Sequence, residues 1–428
     1  MKVRWRNRTA KPPPVPAEPA EPTKPPPPPA ELIDFLRQIG VALCQAGDAA
    51  SRITVEMAEL ATAYGVPNAH FFVVPTGVFV RIGTGSAATV DFAPAELSTL
   101  RLAQISHLYD LLDEAKRTRL PPADGVARLA EIRAAPPRFP PLVQVAGHTM
   151  LTAGLGLVLN SDPRALLGYL VLGAFVGVLR LAAERLLVLS VALPVIAAIS
   201  VSALVYRFGD TLVDTHPTQL LIPALVTFLP GAALTLGAAE MATGSIIGGS
   251  SRLVSGMYVL LLLAFGILVG AELVGFPGAP TSRPGTLGWW APWIGVLVFG
   301  IGQYLNSSAP ARSLPWLLAT LYLAWTAQFL GGLVDGVFGA FAGGLAIVPI
   351  SFAAQRNHGP PAQVVLLPTF WLLVPGALGL AGVSELVGAG NGHGLADLFT
   401  ALLSVVAIAL GALVGFSLTR SADHHLTG

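Results

Sequence analysis

Four carboxylates lie within or at the edges of long apolar runs of this sequence: Glu240, Glu272, Asp335 and Glu385. An ionised carboxylate inside a bilayer costs on the order of 3 kcal/mol even on the mildest scale, so such residues usually serve a function. A carboxylate that faces a hydrated cavity can pair with a substrate ammonium group or take up a coupling proton. We therefore predict that these four are proton-coupling residues. For Glu240 and Glu385, the alternative is simple solvation at a helix end.

Two of the carboxylates follow a Pro-Gly pair inside an apolar run. Pro230-Gly231 precedes Glu240 and Pro375-Gly376 precedes Glu385, both at the same spacing. Proline removes a backbone donor, and the amide groups that begin the next half-helix can bind an anion. This arrangement suits an amino acid, with its carboxylate at the breaks and its ammonium group near a glutamate. The Pro-Gly pairs and Thr235 are therefore predicted substrate-binding residues, the alternative being ordinary proline kinks.

The two Pro-Gly segments belong to an internal repeat. The pattern Pro-x6-Pro-Gly-x5-Gly-x2-Glu occurs at residues 223–240 and 368–385, an offset of 145 residues, and Leu159-Asn160-Ser161 is echoed by Leu305-Asn306-Ser307. Asn160 and Asn306 either line the substrate path or cap helices. Interrupted helices, an acidic residue and an internal repeat are together typical of secondary transporters.

Other kinds of site are poorly supported by the sequence. It contains no His-Glu-x-x-His, Gly-x-Ser-x-Gly, Cys-x-x-Cys or phosphate-loop motif, so transport driven by a gradient is favoured over catalysis and ATP-driven pumping. We expect no cofactor and no metal. Cys44, the single cysteine, excludes an intrachain disulfide, and His148 is either a proton relay or an interhelical histidine with its hydrogen bonds satisfied.

The composition indicates a protein of the lipid bilayer. Apolar residues make up 53% of the chain and charged residues 11%, whereas about 25% is usual for charged residues in soluble proteins. The formal net charge is only +1 and no basic patch is present, so a nucleic-acid partner is not expected.

Composition also divides the chain into segments. We predict a disordered Pro-rich tail at 1–30, a cytoplasmic, soluble α+β domain at 31–141, and a C-terminal tail at 421–428. Between them lie two five-helix membrane repeats at 142–276 and 288–420. The predicted spans are 142–160, 165–182, 186–206, 218–238, 252–274, 288–305, 314–332, 334–352, 362–382 and 395–418, each near the length that crosses a bilayer.

The number of spans has a topological consequence. Five spans per repeat place the second copy upside down relative to the first, so we expect a multi-pass α-helical protein of about ten helices in two inverted repeats. Arginines of short loops set the orientation. With both termini in the cytoplasm, the inside segments carry Arg180, Arg185, Arg252, Arg312, Arg356 and Arg420, and the outside segments carry Arg164, Arg207 and Arg283.

Several stretches, in this order, resemble the bacterial threonine/serine exporter family in its full-length form. GDAASRITVEMAELATAYGV followed by FFVVPTGVFV, and LLDEAKRTRLPPADGVARLAEIRAAPPRFP, are similar to the family's soluble domain. FLPGAALTLGAAEMATGSIIGGSSRL and LLPTFWLLVPGALGL are similar to its two membrane halves. The resemblance covers about residues 31–420. One departure is that the polar pair after the family's first Pro-Gly is here replaced by Leu236-Gly237, with Glu240 following.

The resemblance implies export of L-threonine and L-serine across the inner membrane, driven by the proton gradient. Its partners would be the amino acid, protons and lipid, and a homo-oligomer is compatible with the sequence. Related two-protein systems are associated with dicarboxylate export, so a succinate-type exporter is the alternative. A passive channel is another, and a hydrolase anchored to the membrane, with His70, Asp91 and His107, is a further alternative from a different class.

Overall fold

The structure is a computed structural model that describes residues 29–426, except positions 84, 86–87, 96–98, 185–186, 213–216, 276–286, 358, 374–378, 381 and 383–392. An N-terminal α+β unit, defined here as residues 29–134, precedes a bundle of apolar helices. The elements of the unit are α1 Pro29–Gln45, α2 Ala50–Ala63, β1 His70–Val74, β2 Gly77–Ile82, β3 Thr89–Pro94, α3 Leu102–Thr118 and α4 Pro122–Ala134.

The three strands form an antiparallel meander in the order β1-β2-β3. Pro94 pairs with Gly77 at the end of β3, and α3 begins only at Leu102. Gly47 and Asp48 separate α1 from α2. Helices α1 and α2 pack against the strands and cover one face of the sheet.

The unit has its own apolar core. The residues of α1 that recur at helical spacing are buried together with residues of α2, β2 and α3: Leu32, Phe35, Leu36, Ile39, Leu43, Ile53, Met57, Leu60, Val78, Val80, Ile105 and Leu108. Two residues from the helical bundle, Ala309 and Val364, belong to the same core. The unit is therefore packed directly onto the bundle.

The bundle consists of apolar helices that follow the predicted spans. Their bounds are α5 Pro141–Leu159, α6 Ala165–Glu184, α7 Leu187–Leu212, α8 Pro217–Ala224, α9 Gly231–Ala242, α10 Ile246–Val274, α11 Ala291–Asn306, α12 Ser313–Gly332, α13 Gly336–Arg356, α14 Ala362–Leu372 and α15 His393–Leu426. Five segments of the described chain are long and apolar enough to cross a membrane: Pro141–Leu159, Ala165–Glu184, Ile246–Val274, Gly336–Arg356 and Leu398–Thr419. A helical, multi-pass membrane protein fits this pattern.

The span predicted at 218–238 is interrupted, as its Pro-Gly pair predicts. Helix α8 ends at Ala224, a short 3₁₀ turn follows, and Pro230 is the residue before α9. In the second half, α14 covers the matching position, but Pro375, Gly376 and Glu385 lie outside the described residues. The run 314–352 turns between Gly332 and Gly336, where α12 ends and α13 begins.

Helices α5 and α11, the first of each half, pack against each other in opposite directions through glycines. A Cβ atom added to Gly147 would lie 2.6 Å from the backbone nitrogen of Asn306, and one added to Gly154 would lie 2.7 Å from the carbonyl oxygen of Gly295. Because residue numbers rise along one helix as they fall along the other, the pair is antiparallel. The two backbones are in contact, an approach that only small residues permit.

A pair of glycines in α10 recurs in α15, 145 residues later. Gly266 and Gly270 of α10 pack against α7, and Gly411 and Gly415 of α15 pack against α13. In each half, therefore, the last helix contacts the third helix through equivalent positions. This is the packing that an internal duplication predicts.

Candidate functional site

A cavity of ≈ 1140 Å³ lies between the N-terminal unit and the bundle. The unit contributes residues from α1, β3, α3 and α4, and the bundle contributes residues from α5, α6, α9, α10, α11 and α14. Helices of both halves therefore line one space, whose remaining wall is the N-terminal unit.

The cavity extends to the first helix break. Ala232 and Ala233, which directly follow Pro230-Gly231, line it, and so do Pro368 and Trp371 of α14. The first amide groups of a helix have no acceptor within that helix, so the start of α9 offers donors to an anion. Thr235, one turn further along α9, is 1% exposed, and its Oγ1 has no hydrogen-bond partner among the described residues.

Charged residues on the cavity wall are mostly cationic. They are Arg37, Arg101, Arg133, Arg180, Arg252 and Glu184. Two of the arginines have carboxylate partners, Arg37 with Asp34 and Asp91 and Arg252 with Glu240. For Arg101 and Arg180, the described part of the chain supplies no ion pair. The cavity therefore suits an anionic group.

Arg180 contacts the other half of the bundle. Its Nη1 donates a hydrogen bond to Asn306 Oδ1 at 3.1 Å, which joins α6 to the end of α11. Gln303, one turn before Asn306, is 2% exposed and also lines the cavity. Gln303 Nε2 donates to Ser307 Oγ at 2.9 Å, while its Oε1 accepts no hydrogen bond within the described ranges.

Glu240 is buried, with 1% of its surface exposed. Arg252 Nε donates to its Oε2 at 3.1 Å, and the backbone nitrogen of Ala50 donates to its Oε1 at 2.6 Å. Since Ala50 is the first residue of α2, Glu240 satisfies a free amide group at that helix start. Glu240 is therefore not a solvated residue at a helix end, which was the alternative interpretation of this position.

The loop between α1 and α2 contacts both halves of the bundle. Arg252 Nη2 donates to the carbonyl oxygen of Asp48 at 2.5 Å, and Gln363 Nε2 donates to that of Gly47 at 3.1 Å. Arg252 belongs to the first half and Gln363 to the second. One short loop therefore bridges the halves at the floor of the cavity.

A buried polar cluster supports this loop. Tyr109 donates a hydrogen bond to the Asp48 carboxylate, and Arg52 Nε lies 3.8 Å from Asp48 Oδ1. Burial raises the pKa of the Asp48 carboxyl above its ordinary value, and Arg52 opposes that shift. Arg52 also lies over the ring of Phe352 in α13, so the cluster touches the second half as well.

Other predicted residues lie apart from the cavity wall. Asp335 is exposed and accepts hydrogen bonds from the amides of Val337 and Phe338, so it caps α13. Glu272 is exposed near the end of α10, and Asn160 follows the end of α5 that is remote from Asn306. The structure therefore brings Asn306 to the cavity with the first helix break, but not Asn160, Glu272 or Asp335.

His148 is fully buried between helices. Its Nδ1 lies 3.0 Å from the carbonyl oxygen of Gly173 and its Nε2 lies 3.2 Å from Thr227 Oγ1. The carbonyl can only accept, so Nδ1 carries the hydrogen, and in the neutral imidazole Thr227 donates to Nε2. This is the interhelical histidine with both hydrogen bonds made.

The residues of the hydrolase alternative do not form a cluster. His70 and Asp91 lie on the two outer strands, with β2 between them. Asp91 is 3.4 Å from Arg37, and His107 pairs with Asp110 on the exposed face of α3. Asp91 and His107 have different neighbours and His70 lies on another strand, so these three residues do not form a shared catalytic geometry.

Sequence reasoning missed most polar residues of the cavity wall, among them Arg180, Arg252 and Gln303. The two arginines were assigned to loops that set the orientation, but Arg180 lies inside α6 and Arg252 inside α10. Their signal was a single charge next to an apolar run, the same signal that identified the carboxylates. Gln303 gave no signal, because a lone amide in a helix carries no charge cost.

Comparison with known proteins gives a family match for this chain. A family model described as "Putative threonine/serine exporter", ThrE, matches residues 34–274, which span the α+β unit and the first half of the bundle. Neither the search of curated proteins nor that of solved structures gave a match. Because the family model covers more than half of the chain, the protein belongs to the threonine/serine exporter family.

Proposed function

We propose that this chain is a secondary transporter that exports L-threonine and L-serine across the inner membrane, driven by the proton gradient. The observation that supports it most is the cavity that leads from the N-terminal unit to the break before α9. An exporter must present its site to the cytoplasm first, and this cavity gives such a route. The family match supplies the substrate class.

The proposed transport cycle is alternating access about the two interrupted helices. Two observations support two inverted five-helix repeats. Helices α5 and α11 pack antiparallel, and the last helix of each half contacts the third helix through equivalent glycines. In this view the ten spans cross the membrane, residues 31–141 form a cytoplasmic domain and both termini are cytoplasmic. Substrate would leave when the halves rock and the cavity closes beneath the breaks.

The proposed proton-coupling residue is Glu240, with Glu385 as its counterpart in the second half. Glu240 is buried and its partner Arg252 lines the cavity. A protonated Glu240 would lose its ion pair with Arg252. Because Arg252 also donates to the carbonyl oxygen of Asp48, the loop between α1 and α2 would then be held less firmly. Asp335 and Glu272 are exposed in the structure, so they are weaker candidates for holding a proton in transit.

A second candidate is export of a dicarboxylate such as succinate. Arg101 and Arg180, which form no ion pair among the described residues, favour it, because guanidinium groups bind carboxylates in bidentate geometry. An amino acid needs one such group, whereas a dicarboxylate needs two. Arg101 and Arg180 together could supply both.

Efflux of labelled threonine, serine and succinate from loaded cells tests the proposal. We expect threonine or serine efflux that a protonophore abolishes. Efflux of succinate alone would show that the protein is the dicarboxylate exporter of the second candidate function. Threonine efflux that persists without a proton gradient would indicate a passive channel and contradict the coupling.

A further inference from the structure

Two polar groups near the end of α11, Arg180 of α6 and Gln303 of α11, point to recognition of a zwitterion. Arg180 presents a guanidinium to the cavity with Asn306 as its hydrogen-bond acceptor, and an arginine has further N–H donors beyond the one that Asn306 receives. Gln303 presents a buried carbonyl oxygen for which the described residues offer no donor. A buried acceptor that receives no hydrogen bond lowers the stability of the fold, unless a ligand supplies the donor.

We propose that Arg180 binds the carboxylate of the exported substrate and that Gln303 Oε1 accepts a hydrogen bond from its ammonium group. This inference rests on the proposed export and specifies its substrate-recognition residues. Asn306 is the positioning residue, because it holds the Arg180 side chain across the boundary between the halves. Recognition therefore depends on contact between α6 and α11.

The placement also predicts how the site separates substrate classes. An amino acid offers one carboxylate and one donor group, which match Arg180 and Gln303. Arg101 lies directly before Leu102, whose amide donates to the carbonyl oxygen of Ser307 at 3.3 Å, so it stands near the same end of α11. A dicarboxylate has a second anionic group for Arg101 and no use for Gln303 Oε1.

The test uses the full-length protein in proteoliposomes with L-threonine, L-serine and succinate as probes. Arg180→Gln should raise the half-saturating concentration of the transported probe by about tenfold or more, the effect of losing a charge-assisted hydrogen bond. Arg312→Gln, which removes an exposed arginine at the start of α12, is the matched control and should change it less than about twofold. Gln303→Leu should weaken threonine transport and spare succinate, and Arg101→Gln should do the reverse.

Two further variants keep the inference testable when Arg180→Gln does not fold. Arg180→Lys retains the charge but not the planar fork and should restore only part of the affinity. Asn306→Ala should raise the half-saturating concentration while leaving the maximal rate nearly unchanged. Equal half-saturating concentrations for wild type, Asn306→Ala and any folded Arg180 variant would overturn the inference.

The measurement on the wild-type protein distinguishes failure of this inference from failure of the proposed export function. Wild-type protein that transports none of the three probes overturns the proposed export. Wild-type protein that transports a probe, with Arg180→Gln unchanged, overturns the role of Arg180 alone. Loss of transport in both Arg180→Gln and Arg312→Gln would indicate a general charge effect and would also overturn that role.

Discussion

Glu240 joins three parts of the chain at one buried carboxylate. Its oxygens meet Arg252 from α10 and the first amide of α2, and Arg252 in turn holds the backbone of Asp48. A buried ion pair with extra hydrogen bonds tolerates poorly the loss of one partner, since the other charge is then left uncompensated. Loss of this carboxylate would therefore affect the docking of the N-terminal unit as well as the proton coupling proposed for it.

Replacing Glu240 by Gln tests both roles. The amide can still accept from Ala50 but cannot balance Arg252, so we expect a loss of stability on the order of 3 kcal/mol. Proton-dependent threonine efflux should also be lost while the protein still reaches the membrane. Glu131→Gln, which changes an exposed carboxylate of α4, is the control. Full efflux from Glu240→Gln would remove this residue from the coupling mechanism.

Cys44 gives a second prediction at the residue scale. Its side chain is 9% exposed, and burial raises the pKa of the thiol to about 12. Only about one thiol in 10⁵ is then ionised at pH 7, so maleimide should label the native protein very slowly. The labelling rate should rise about tenfold per pH unit while the fold persists. Rapid labelling at neutral pH, before any detergent denaturation, would contradict this burial.

At the scale of the elements, the contact between α5 and α11 depends on glycine. A Cβ at position 154 would lie 2.7 Å from the Gly295 carbonyl oxygen, whereas one at Gly332 would meet nothing within 4 Å. Gly154→Ala should therefore destabilise the protein by about 1–3 kcal/mol through overpacking. Gly332→Ala should leave stability unchanged or raise it slightly, because alanine favours helix. Thermal unfolding of both variants in detergent measures the difference, and an equal effect would disprove the close contact.

The sequence predicted helices well because their signal is local. Apolar length and the first Pro-Gly pair each act within a few residues, and the structure shows helices along the apolar runs and a break at Pro230-Gly231. Gly266 and Gly411, which are 145 residues apart, make equivalent helix contacts that the sequence analysis did not identify. The sequence could not show where polar groups meet. Asp335 looked like a buried charge but caps a helix.

The candidate site was predicted less completely than the fold, for a physical reason. Arg180 and Asn306 are 126 residues apart in sequence and meet only because α6 and α11 come from different halves. Glu240 meets Ala50 across 190 residues. Such pairs depend on how the N-terminal unit sits on the bundle, which periodicity and spacing do not encode.

At the scale of the whole molecule, the N-terminal unit forms one wall of the cavity. Its loop between α1 and α2 is held by Arg252 of the first half and Gln363 of the second. A movement of one half against the other would therefore act on these hydrogen bonds. The unit is placed to respond to the alternating access proposed above, in which the cavity opens on the side that carries this unit.

Thiol accessibility tests that geometry directly. In a Cys44→Ala background, Ala232→Cys would place a thiol on the cavity wall just beyond the Pro230 break. A membrane-impermeant reagent should modify it in inside-out vesicles, which expose the cytoplasmic face, and L-threonine should protect it. Ala238→Cys on the same helix, packed against the apolar core, should react much more slowly. Modification from the outer face instead would mean that the cavity opens outward and that the predicted orientation is wrong.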